Sequence, residues 1–99
     1  MKKPYQLIFA VAIILFSSNS FADECDGVDH VLNQGKYNSA LLIVDPLLKQ
    51  GVTCAQYYKG LMYLRGQGLT RDFEKGVALI KSAEKKGYPA AIEFMESFY

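Results

Sequence analysis

The chain resembles itself at a fixed offset, and this constrains its fold more than any other feature. A shift of 36 residues (87 − 51) lays Gly51 on Gly87, Ala55 on Ala91 and Tyr63 on Tyr99. The stretch before it behaves alike, with Tyr37 falling on Phe73, Ala40 on Gly76 and Leu47 on Ala83. The segments so related carry apolar residues at helical spacing. A period of this length joining helical segments is the pattern of stacked α-hairpins, each burying its apolar face on the next. The expected fold is all-α, a short α/α superhelical repeat array of about two helical hairpins plus a C-terminal capping helix.

Length sharpens this. Lys2 and Lys3, the apolar run from Leu7 to Phe16, and the small residues of Ser20-Phe21-Ala22 match a secretory signal in its three parts. Cleavage is expected after Ala22, which leaves 99 − 22 = 77 residues to fold. The domain is then residues 23–99, too short for a Rossmann domain or a barrel. Ten apolar residues rise only about 15 Å as a helix, half a bilayer core, so no stable membrane anchor is expected after cleavage. Cys25 is third in such a mature chain, so no lipid-anchored cysteine leads it. A short signal with two lysines points to a bacterial periplasm.

Two cysteines in an oxidising compartment are read as one disulfide, Cys25–Cys54. Both stand near the starts of helices of the same type, which run parallel as neighbours in such an array. Metal binding is the weaker alternative: His30 is the sole histidine and no CxxC or HxxxH spacing exists. No metal and no cofactor are expected.

Helical spacing is read over five segments. Glu24–Asn33 carries Val28, Val31 and Leu32. Tyr37–Lys49 carries Tyr37, Ala40, Leu41, Val44, Leu47 and Leu48, with a kink or restart expected at Pro46 and Asp45 as its cap. Thr53–Arg65 is apolar nearly all round. Ala55, Tyr58, Met62 and Tyr63 share one side, and Tyr57, Leu61 and Leu64 form a second stripe. Phe73–Lys86, capped by Asp72, is expected to bury Phe73, Val77, Ile80 and Ala83. Pro89 opens the last helix, with Ala91, Phe94, Met95 and Phe98 on one face.

The stretch from Ala55 to Gly87 resembles the Sel-one-like repeat, a relative of the tetratricopeptide repeat. Ala55, Gly60, Tyr63, Gly66, Gly68, Asp72, Lys75, Ala83 and Gly87 stand at that family's anchor positions. Four positions depart from its pattern: Lys59 replaces an apolar residue, Gly76 an Ala, Leu79 a Trp and Glu84 an Ala. The missing Trp and the mid-helix Gly imply a less well packed unit. Partial units flank the repeat on both sides, so the resemblance covers about 65 residues. It implies a protein-interaction module or adaptor, with another protein as partner.

Charge excludes one class of partner. The chain carries 11 basic and 10 acidic residues, and loss of Lys2 and Lys3 leaves 11 − 2 = 9 basic ones. No basic stripe exists to neutralise a phosphate backbone, so no nucleic acid is expected. Asp23, Glu24, Asp26 and Asp29 crowd the mature N-terminus.

Catalytic signals are weak. Ser82-Ala83-Glu84-Lys85 spells SxxK, but late on a helix and without its companion motifs. Gly66-Gln67-Gly68 lacks the strand and later glycine of a dinucleotide site, and is read as a helix–helix loop. His30 beside Asp26 and Asp29 suits a surface helix. No enzyme is expected. The candidate contact surface is Tyr57, Leu61 and Leu64, together with Phe98 and Tyr99. For the stripe, the competing reading is internal packing against the first and last helices; for the last two residues it is capping of the array. Two other functions are compatible with the sequence: an immunity protein neutralising an antibacterial effector delivered to the periplasm, and, less favoured, a small β-lactam-binding hydrolase.

Overall fold

Three glycines punctuate the fold. Gly35, Gly51 and Gly87 adopt φ of 74°, 77° and 86°, a region that costs side-chain-bearing residues energy. Each ends a helix with the same paired hydrogen bonds. At Gly51, the glycine N–H donates to Leu48 O (3.0 Å) and the next N–H, of Val52, to Leu47 O (3.0 Å). At Gly87 the partners are Glu84 O and Ala83 O. This Schellman arrangement satisfies carbonyls that a helix end leaves bare.

A computed structural model describes residues 24–98. The segment read as an export signal, and Tyr99, lie outside the described residues. Among those described, the elements are α1 (Val28–Asn33), α2 (Tyr37–Lys49), α3 (Thr53–Arg65), α4 (Phe73–Lys85) and α5 (Pro89–Phe98), with no strand. The fold is all-α. Each helix packs on the next in sequence, and the α3–α4 pair is the most intimate.

Four local expectations are corrected. The first helix begins at Val28 rather than Glu24, because Gly27 takes φ 86° and breaks helical continuity. The second helix runs unbroken through Pro46. Asp45 caps nothing and pairs instead with Lys59 of α3. Phe73 is half exposed at 51% rather than buried, since it starts α4 and packs its ring on Phe98 near the domain's end.

The core runs through all five helices. Val28 and Leu32 come from α1, Ala40 and Val44 from α2, and Ala55, Leu61 and Met62 from α3; Ile80 and Ala83 come from α4, and Ala91 and Met95 from α5. Non-consecutive helices meet through side chains. The Cys25–Cys54 disulfide ties the turn before α1 to the start of α3. Asp72 caps α4 as expected, its carboxylate accepting from Lys75 N–H at 3.1 Å.

Candidate functional site

The disulfide holds the start of α1 beside the start of α3, and a polar aromatic cluster lies next to it. Cys25 and Cys54 are 29 residues apart. Asp29 and Tyr58, each four residues further on, have the same separation. Cys54 and Tyr58 lie four apart on α3 and share a face, while Cys25 stands in the turn before Gly27 and Asp29 just after it on α1, so both pairs join the same two segments. The Tyr58 hydroxyl donates to Asp29 Oδ2 at 2.9 Å.

Two more tyrosines build on this pair. The Tyr57 ring meets Tyr58 edge-on, with centroids 5.2 Å apart and planes at 72°. Its other side meets Tyr88 at 5.4 Å. Tyr88 precedes Pro89 and accepts the Ile92 N–H, so its position is set by the opening of α5. The cluster therefore spans α1, α3 and the entry to α5. Edge and tilted ring contacts of this kind hold aromatic side chains in place without full burial.

All three phenols are held protonated beyond the ordinary range. Burial is the leading cause in each. For Tyr58, the hydrogen bond to Asp29 adds to it, because a carboxylate partner needs the phenolic proton. For Tyr57, the nearby Arg65 opposes the rise, while Asp29 and Glu93 support it. For Tyr88, Tyr57 and Asp29 support it. Tyr57 and Tyr88 offer partly exposed ring faces over the buried Tyr58, beside the exposed charges of Asp29, Glu93 and Arg65.

No family model, no curated protein and no solved structure matches this chain.

The expected contact stripe is divided by the structure. Tyr57 lies in the tyrosine cluster, half buried. Leu61 is only 5% exposed and belongs to the core, which corrects its placement on an outward face. Leu64 packs against α4, where a Cβ on Gly76 would stand 2.7 Å from its Cδ2. Internal packing thus accounts for both leucines. Phe98 is 42% exposed and stacks with Phe94 at 6.0 Å, while Tyr99 lies outside the described residues.

Of the nine expected repeat positions, Asp72 and Gly87 act at the two ends of α4, and the other seven fall into three groups. Ala55 and Ala83 are fully buried, and Gly60 sits at the α3–α4 crossing. Gly66 ends α3 at φ 66°, and Gly68 lies against Tyr37. Tyr63 and Lys75 meet on the far side of α3 from the tyrosine cluster, next to Lys59.

Sequence reasoning missed Asp29, Tyr58 and Tyr88 as members of one site. The signal was present in part: the common offset of 29 follows once the cysteines are paired. Nothing comparable points to Tyr88. Among the described residues, no group of three or more His, Cys, Asp or Glu could hold a metal ion. None of their helices is long and apolar enough to cross a membrane.

Proposed function

We propose that this protein is an exported interaction module that binds another protein through the face carrying Tyr57, Tyr58 and Tyr88. The cluster of three tyrosines across α1, α3 and α5 carries this reading. Tyrosine contributes large contact area and a hydroxyl at small entropic cost, and it is enriched among interface residues that dominate affinity. Rings already braced against each other lose little further freedom on binding. The role is binding without catalysis: phenols held protonated donate hydrogen bonds and are poor nucleophiles. The succession of helices and the matching glycine ends support a Sel-one-like array. The disulfide and the N-terminal signal pattern support a periplasmic location after cleavage at Ala22.

A photo-crosslinking residue placed at Tyr57 or Tyr88 of the full chain tests the reading in cells. Covalent adducts with one protein are expected at both positions and not at exposed Lys49 on α2. Equal labelling at all three positions, or none, ends it. Intact mass of the exported chain, expected to begin at Asp23, checks the cleavage.

An acidic rim favours a narrower version. Glu24, Asp26 and Asp29 are all exposed at the N-terminal end, and Asp29 adjoins the tyrosine face through its bond to Tyr58. Such a rim suits the basic cleft of an antibacterial effector, so the module acts as its immunity protein. Rescue of cells expressing a periplasm-directed effector tests this, and failure to rescue or bind removes it.

A further inference from the structure

On the far side of α3, a shallow groove of about 390 Å³ runs between α2 and α4, lined by Leu48, Lys59, Tyr63, Lys75, Ala78 and Leu79. We propose that this groove is a second binding site, which takes an extended acidic peptide segment. An apolar side chain of the peptide rests against Leu48 and Leu79, and a neighbouring carboxylate meets Lys75. The proposal goes beyond the tyrosine face and does not depend on it.

Charge complementarity is the argument. Two ammonium groups flank one ring: Lys59 Nζ stands 5.9 Å and Lys75 Nζ 5.6 Å from the Tyr63 centroid. Lys75 is exposed and makes no ion pair with a described carboxylate. Its charge rests on the ring alone, a contact that leaves its donors available. Lys59 is 9% exposed, and Asp45 takes one of its three donors. At the C-terminal ends of the same two helices, Lys86 Nζ donates to Gly51 O at 3.3 Å. Lys59 and Lys75 thus line the groove, Lys86 lies further along the α2–α4 side, and none of the groove's lining residues is acidic.

The floor decides the rest of the ligand. Leu48, Ala78, Leu79 and the Tyr63 ring are apolar, so a purely charged ligand would leave them wet. A volume of this size seats one or two side chains, and its open form suits an extended chain rather than an enclosed small molecule. An acidic peptide with interspersed apolar residues fits both halves of the groove.

The test uses the purified full-length chain and two capped hexapeptides. One is Glu-Leu-Glu-Phe-Glu-Leu; in the other, glutamine replaces each glutamate. Amide NMR shifts locate binding and titration measures it. The acidic peptide is expected to move the amides of Tyr63, Lys75, Ala78 and Leu79, and to bind at least about fivefold tighter than its glutamine counterpart. Lys75→Gln should weaken the acidic peptide about fivefold without changing the other, because only the charge pair is lost. Leu79→Trp should fill the groove and abolish binding of both. The proposal is overturned if the two peptides bind alike, if neither binds, or if the shifts fall on Tyr57 and Tyr88. Failure of the groove proposal leaves crosslinking at Tyr57 unaffected, since that experiment tests the other face separately.

Discussion

Gly60 and Gly76 face each other across the α3–α4 crossing, so close that a Cβ on either would stand 2.8 Å from the other's carbonyl oxygen. Neither takes a left-handed conformation. Both are glycine because of what lies opposite, not because of their own backbone angles. A mid-helix glycine weakens an isolated helix, and Gly76 alone suggests poor packing. The partner across the crossing reverses that reading: Gly76 permits the tightest helix pair in the fold.

Gly76→Ala should therefore destabilise the protein. The gain in helix propensity is about 1 kcal/mol. Overpacking costs about 1–3 kcal/mol, and here the upper end applies because a backbone oxygen cannot rotate away. A net loss of about 1–2 kcal/mol is expected in urea unfolding of the oxidised protein. The double variant with Gly60→Ala should cost less than the two single losses added, since one separation of the helices relieves both clashes. A gain in stability for Gly76→Ala would show that the helices part freely.

Lys59 and Asp45 should respond unequally to substitution. Lys59 is nearly buried, with its side chain 11% exposed, while the Asp45 side chain is 47% exposed. Removing the carboxylate by Asp45→Ala leaves an ammonium in an apolar setting, and about 1–2 kcal/mol should be lost, less than for a fully buried pair. Lys59→Met removes the charge that needs a partner and keeps the length of the side chain. It should be neutral or stabilising. Loss of stability in Lys59→Met equal to that in Asp45→Ala would mean the ion pair is a net contributor.

These two sites show how far sequence reasoning reached. Helix ends were legible wherever a local rule acts: Gly51 and Gly87 stop α2 and α4, and Asp72 starts α4. The start of α1 was not, since the acidic residues before it favour a helix N-terminus and Gly27 overrides them. Periodicity sorted the residues of α3 onto faces but could not say what covers each face. Leu61 and Leu64 were assigned outward for that reason. Lys59 looked like a departure from an apolar position because its partner lies 14 residues earlier on another helix. Contacts across helices, rather than patterns along them, account for each miss.

Removal of the Cys25–Cys54 bond should loosen the N-terminal end first. Closing a loop of 29 residues contributes about 3–4 kcal/mol in the chain-entropy account. Helix α1 has only six residues and packs on the rest through few side chains, so it depends on the tie. Paired Cys25→Ala and Cys54→Ala substitutions should lower stability by about that amount. Hydrogen exchange should quicken in α1 before α3 or α4. Two free thiols in the exported protein under non-reducing conditions would overturn the bond itself.

Alkaline unfolding should report the tyrosine cluster. Tyr57, Tyr58 and Tyr88 each hold their proton above the ordinary value of 10.0 in the folded state. Unfolded, they lose it near that value. At higher pH the unfolded chain therefore binds fewer protons than the native one, and stability falls as pH rises. Their contribution is fully present below pH 10 and is lost progressively above it. Urea midpoints measured across this range should decline, and tyrosinate absorbance should lag in the folded protein and rise with unfolding. Tyr58→Phe removes one of the late-ionising groups and the bond to Asp29. It should lower stability at neutral pH by about 1 kcal/mol and make the alkaline decline shallower. An unchanged slope would mean that Tyr58 ionises in the folded protein as it does in the unfolded chain, and the hydrogen bond to Asp29 would then not hold in solution.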